Sequence, residues 1–261
     1  MCPRKRSIST LKLYHVYSRG INKDPIFASD KEKFFYMECL REALENSTVK
    51  LYAYCIMSNH VHLILYGDLE DIGELMQQTQ GKYGTTYNFF HNRTGHVFQG
   101  HFKSKPVNSE GYFWAVIRYI HQNPVKANLV TSVERYRFSS FMEFRSYNKD
   151  KSMINIDSVK LVIRKFGNFK AFLEFHSEED FLLYDDIEEE MLEQEKYRIA
   201  HAQRRALEEF GLQSLQDLSW NKAGRAEMIE LLKNEYHFTV SQICEMTGLT
   251  RYRVIKSLGK E

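Results

Sequence analysis

Two pairs of residues in this 261-residue chain have the types and spacing to do chemistry: His60 with His62, and Tyr119 with Asn123. The histidines fall in the β-rich run HVHLILYG, where successive side chains alternate faces, so His60, His62 and Ile64 emerge together while Val61, Leu63 and Leu65 point the other way. Two neutral imidazoles presented side by side can share one divalent cation, and a cation beside a phosphodiester can polarise its nonbridging oxygen. The plainer alternative, one imidazole hydrogen-bonded under a helix and the other merely exposed, stays open on spacing alone. Tyr119 and Asn123 lie four residues apart in a helical run and so share a face. A tyrosine can attack phosphorus and form a phosphotyrosine, which conserves the broken bond's energy so that the strand can be rejoined without ATP. The amide oxygen of Asn123 would be a third metal ligand. With 16 tyrosines in the chain, Tyr112, Trp114, Ile117 and Tyr119 could equally form a core stripe.

The elements that must position these groups can be read in order. LKLYHVYSRG (11–20) is aromatic, β-branched and closed by glycine, which predicts a strand. Residues 30–46 have helical spacing, with Asp30 as the expected N-cap. Two β-rich runs, 49–57 and 60–67, are separated only by Ser58 and Asn59, which predicts a tight antiparallel hairpin. A helix is expected over 69–93 and a strand over 95–108. A further helix opens at the N-cap candidate Ser109 and is expected to stop at Asn123, because Pro124 disfavours helix at the residue before it. This order predicts an α+β domain over residues 1–147, with one antiparallel sheet and helices on one face. SYNKDKSMINIDS (146–158) is polar and aperiodic, which marks it as a linker.

Net charge is only +2, yet residues 174–195 hold eleven acidic and no basic side chains; the rest of the chain sets 36 Lys and Arg against 23 acids. Such a surplus favours a polyanionic partner, because Lys and Arg displace counterions from phosphates. No run approaches the roughly 18 apolar residues of a membrane span, and MCPRKRSIST leads into no apolar run of a secretory signal, so a cytoplasmic protein is expected. The four cysteines are scattered without a CxxC pair, against a zinc ribbon or a disulfide framework.

Taken together and in order, NHVHLIL (59–65), GHVFQGHFKSKPV (95–107) and YIHQNPVKANLV (119–130) resemble the HUH single-tyrosine transposases, and among these the REP-associated tyrosine transposases. The resemblance covers about residues 8–145. It implies a ferredoxin-like α+β domain, Mg²⁺ or Mn²⁺ as cofactor, and hairpin-forming single-stranded DNA as substrate. It matches His60 and His62 to the paired metal-binding histidines, Tyr119 to the nucleophile and Asn123 to a polar ligand one turn later. Gln122 and the sequence Lys126-Ala127-Asn128 depart from the family's usual leucine and Arg-Ala-Gly, leaving the chemical residues intact.

Arg93, His101, Lys103 and Lys105, interleaved with Phe98 and Phe102, suit a strand-binding groove in which aromatics stack bases and cations follow phosphates; a half-buried strand with one solvated face fits as well. Arg4, Lys5 and Arg6 could extend that surface or simply solubilise the terminus. Residues 148–220 read as a helical acidic connector. Residues 221–261 read as three short helices, the second capped by Thr239 or Ser241 and the third by Thr250, with Gly248 in the turn between them. That is the pattern of a helix-turn-helix, whose last helix carries Arg251, Tyr252, Arg253 and Lys256 toward duplex DNA. The expectation is a single-strand DNA endonuclease and strand transferase, acting as a monomer or homodimer. The rival is a DNA-binding regulator of the same descent that no longer cuts.

Overall fold

A computed structural model describes residues 6–177, 188–220, 224–236 and 238–259, the side chains of 188–197 excepted. Arg4 and Lys5 of the basic terminus, and residues 178–187 of the acidic segment, lie outside the described residues. The chain divides into two compact units, residues 1–178 and 179–261.

The first unit is built on a four-stranded antiparallel sheet in the order β2-β3-β1-β4. Its elements run β1 (Leu13–Arg19), α1 (Asp30–Glu45), β2 (Lys50–Ile56), β3 (His60–Tyr66), α2 (Leu69–Phe90), β4 (Lys103–Val107) and α3 (Glu110–Lys126). As expected, β2 and β3 are joined through Ser58 and Asn59, and the Met57 amide donates to the His60 carbonyl at 2.9 Å. That tight connection sets which residues face each other, pairing Cys55 with His62 and Ile56 with Val61.

The α1 helix begins one residue earlier than Asp30 suggests. Ser29 is the N-cap, and it forms a capping box with Glu32, an arrangement that contributes about 1 kcal/mol. Only 103–107 of the expected 95–108 strand is β-structure; the preceding stretch is a loop tied to β1 by a Gly20–Phe98 bridge.

Helices cover both sides of the sheet, not one. Gln80 of α2 donates to Ser18 Oγ, and α1 packs on α2 through Tyr36 and Tyr83, whose rings are 5.4 Å apart. These helices therefore lie on the face of Tyr14, Val16 and Ser18. The α3 helix meets the opposite face, the one bearing His15, Tyr17 and His62, where Tyr119 touches His62. Two-sided cover explains why strand residues of both parities are buried from Leu51 to Ile56 and from His60 to Leu65.

Pro124 lies inside α3 and does not end it; the helix runs to Lys126, and Ala127 still donates to the Asn123 carbonyl at 2.9 Å. So close to the C-terminal end, the missing proline N–H disturbs only the last turn, and the αL conformation of Asn128 (φ 55°) then turns the chain away.

Residues 146–158 do not behave as a linker. Asn155 N–H donates to the Leu51 carbonyl at 2.7 Å, Lys50 pairs with Asp157 at 2.7 Å, and Glu143 accepts from the amides of Met153 and Ile154. Two further helices, α4 (Ile156–Phe166) and α5 (Phe169–Ser177), complete the first unit. The segment docks through the backbone amides of Met153, Ile154 and Asn155 and through the Asp157 carboxylate.

In the second unit, α6 (Glu188–Phe210) shares a core with α7 (Arg225–Asn234), α8 (Val240–Thr247) and α9 (Arg251–Ser257). Ala202, Ala206, Leu215, Met228, Ile243 and Val254 are among its buried members. Thr239 caps α8 with a capping box to Gln242, Gly248 ends that helix in the left-handed conformation at φ 68°, and Thr250 caps α9. Residues 148–220 thus divide between the two units, 148–177 packing with the sheet and 198–220 with α7 to α9.

Candidate active site

The antiparallel register sets Tyr17 of β1 opposite His62 of β3, with His15 opposite Ile64. Residues paired this way project on one side, so His15, Tyr17, His60 and His62 form a patch on the face that α3 covers. The ring of Tyr119 stands edge-on to it, its centroid 5.4 Å from His62 and 5.9 Å from His15. His60 and His62 lie 4.9 Å apart, centroid to centroid. The two motifs, far apart in sequence, are neighbours across the strand–helix interface.

Each imidazole is oriented by a partner. His60 Nδ1 lies 2.6 Å from Asn59 Oδ1; an amide oxygen only accepts, so the ring proton sits on Nδ1. His62 Nδ1 lies 3.0 Å from His15 Nε2, and when His62 donates that bond it takes the same tautomer. In both rings Nε2 is then the nitrogen through which a cation would be held. An outer partner on Nδ1 is the usual arrangement behind metal-bound histidines.

Asn123 adds an amide one turn beyond Tyr119. It is buried, and its Nδ2 has no hydrogen-bond partner among the described residues. Nδ2 only donates, so it suits an acceptor such as a phosphate oxygen and would not itself hold a cation. Among the described residues no group of three or more His, Cys, Asp or Glu could hold a metal ion. An amide carbonyl at Asn123 would be an oxygen donor of the kind that Mg²⁺ or Mn²⁺ takes.

The site is covered. His15, His62 and Tyr119 are 0% exposed and His60 only 7%. Lys126 Nζ stands 5.9 Å from the centre of the Tyr119 ring, within cation–π range.

The expected basic groove is divided. Lys105 pairs with His15 and Lys103 with Tyr17, so these two lysines flank the histidine face. His101 instead joins His96 at a groove beside α2. Arg93 is held by Asp24 at 3.2 Å and lies over the Tyr87 ring. Phe98 and Phe102 cannot stack bases: Phe98 is buried against Phe27, Tyr36 and Tyr83, and Phe102 lies beneath the Arg6 guanidinium at 3.8 Å. In the second unit, Arg251, Tyr252, Arg253 and Lys256 are all exposed along α9. Sequence reasoning missed His15. For His15 a signal existed, since it stands two residues before Tyr17 in LKLYHVYSRG, at the spacing that puts both on one strand face.

Residues 8–123 match the family described as transposase IS200 like. No curated protein matches the chain. Among solved structures, a REP-associated tyrosine transposase bound to a REP hairpin is 15% identical, with 56% of this chain and 87% of that chain covered and a TM-score of 0.47. A transposase of Deinococcus radiodurans R1, known from its crystal structure, is 16% identical over 46% of this chain and 95% of its own, with a TM-score of 0.33. Neither likeness reaches a TM-score of 0.5, and neither bears on activity.

Proposed function

We propose that the first unit is a divalent-metal-dependent, single-strand DNA endonuclease and strand transferase of the transposase type. The observation that carries this reading is the meeting of Tyr119 with the His15–His62 pair on one face of the sheet. The β-α-β-β-α-β order and the strand order β2-β3-β1-β4 support a ferredoxin-like arrangement.

His60, His62 and Asn123 would hold Mg²⁺ or Mn²⁺, which when bound would stabilise negative charge on the nonbridging oxygens of the scissile phosphate. Tyr119 Oη attacks phosphorus, the P–O3′ bond breaks, and the phenolic proton is balanced by protonation of the leaving 3′-hydroxyl. The product is a 5′-phosphotyrosine, and a second 3′-hydroxyl reverses the step without net energy input. Lys103 and Lys105 would attract the strand to the histidine face. Hairpin-forming DNA is the substrate the family resemblance implies.

In the second unit, α8, the turn at Gly248 and α9 support a helix-turn-helix whose exposed Arg251, Tyr252, Arg253 and Lys256 contact duplex DNA. The chain would then couple cutting to recognition of a neighbouring duplex.

Complete burial of Tyr119 favours one rival, a DNA-binding regulator that retains the fold and no longer cuts. Incubation of the full chain with hairpin-bearing single-stranded oligonucleotides and Mn²⁺ separates the two. A denaturation-resistant protein–DNA adduct is expected, absent in Tyr119→Phe and strongly reduced in His60→Ala. Duplex binding without any adduct would leave the regulator.

A further inference from the structure

We propose that Arg19 grips the same phosphate as the histidine pair, from the side away from Tyr119, and is thereby a further catalytic residue of the proposed strand transfer. This rests on the reading of the first unit as a single-strand DNA nuclease.

Strand register places Arg19. It is the last residue of β1 and the antiparallel partner of His60, as Tyr17 is of His62. Directly opposed residues project to one side, with Cβ atoms about 5 Å apart. Arg19 with His60 and Tyr17 with His62 therefore form two adjacent rows on the face that α3 meets, and Arg19 is the cation of the His60 row.

Both its backbone and its side chain are held. The Arg19 carbonyl accepts from the Gln99 amide at 2.9 Å, and the next residue, Gly20, donates to the Asn59 carbonyl at 2.8 Å. Asn59 is also the residue whose side chain orients His60. Arg19 Nε–H donates to Gln99 Oε1 at 2.6 Å. That acceptor is uncharged, so the bond aims the guanidinium without cancelling its charge. A planar donor already fixed in place needs little reorganisation when negative charge develops beside it.

The sequence of side chains along the strands decides which flank of the phosphate Arg19 meets. The Tyr119 ring stands against His62 and His15, whereas Arg19 lies four residues from His15, about 13 Å of strand, at the His60 end. A phosphate over His60 and His62 thus has the phenol on one flank and the guanidinium on the other. In an in-line displacement the leaving oxygen departs opposite the nucleophile. As the Tyr119 Oη–P bond forms and the P–O3′ bond breaks, Arg19 stabilises charge on a nonbridging oxygen and on the departing 3′-oxygen. It gives up no proton, because a guanidinium stays charged.

The test has two readouts, both with the full chain, Mn²⁺ and a hairpin-bearing single-stranded oligonucleotide. The rate of adduct formation at saturating strand is expected to fall at least about tenfold in Arg19→Ala. Arg19→Lys, which keeps the charge and loses the fork, should recover only part of that rate. Affinity is measured in a Tyr119→Phe background, which leaves no nucleophile, and there Arg19→Ala and His60→Ala form a double-mutant cycle. Two groups on one phosphate give a combined loss of affinity well below the product of the single losses. Losses that simply multiply, or an Arg19→Ala adduct rate within about twofold of the parent, overturn the proposal. The two readings stay separable. A parental adduct with multiplying losses sinks Arg19 alone, whereas no parental adduct with coupled losses sinks the nuclease and keeps the grip of Arg19 on phosphate.

Discussion

His62 is held on both sides, by the Tyr119 ring and by the 3.0 Å approach of its Nδ1 to His15 Nε2. Because His15 fixes which nitrogen of His62 faces outward, its removal should act on cation affinity before it acts on the fold. In the proposed site, His15→Ala should weaken Mn²⁺ binding by about 10- to 100-fold in a calorimetric titration. An unchanged Mn²⁺ affinity would remove His15 from the site. The His60–His62 pair was legible in sequence because strand geometry alone puts alternate residues on one face. His15 was not, since a single histidine in a strand has no pattern of its own and gains meaning only from the register that sets β1 beside β3. Phe98 and Phe102 were misread for a related reason: alternation tells which residues share a face but not which face another element covers, and here Phe98 belongs to the cluster under α1 and α2.

At the scale of elements, the tyrosine helix is fastened by a helix that lies beyond the family match. His121 of α3 and His176 of α5 meet at 2.9 Å, His121 also bonds Ser140 Oγ at 2.8 Å, and Gln122 donates to the His176 carbonyl at 2.7 Å. Burial drives both imidazoles toward the neutral form; His121 falls well below the ordinary histidine value, and His176 falls to about 3. The sign follows from linkage. The unfolded chain takes up a proton near pH 6.5 and the folded His176 does not until about pH 3, so the stability is present above pH 6.5 and declines as the pH falls between those values. At pH 5 the decline from His176 alone should be about 2 kcal/mol relative to pH 7. Thermal melts at pH 7 and pH 5 check this: the difference should shrink in His176→Phe, and an equal difference in that variant would refute the assignment. The hairpin and the start of α3 were legible from turn spacing and a capping serine. The docking of 146–158 was not, because it runs largely through backbone amides, which every residue carries and no sequence pattern marks.

At the scale of the whole molecule, the two units have separate cores and separate candidate surfaces for DNA. Replacing Arg251, Arg253 and Lys256 with alanine should therefore weaken duplex binding. The slope of log affinity against log salt should flatten by about 0.9 for each phosphate that the variant no longer neutralises. Adduct formation on single-stranded oligonucleotides should be unaffected. Equal duplex affinity and slope would show that α9 does not touch DNA. Composition revealed the surplus of base over acid, yet the polar stretch 146–158 placed the division of the chain too early, because the helices that follow it pack back on the first unit, α4 against β2 and α5 against α3. Among the described residues no helix is long and apolar enough to cross a membrane. The seal over Tyr119 sets an order of events for the proposed reaction: with the phenol wholly covered, a phosphodiester reaches it only after its cover has moved. Turnover would then keep the pace of that opening. A substrate with sulfur in place of a nonbridging oxygen, which slows bond-making itself, should react at nearly the rate of the natural strand.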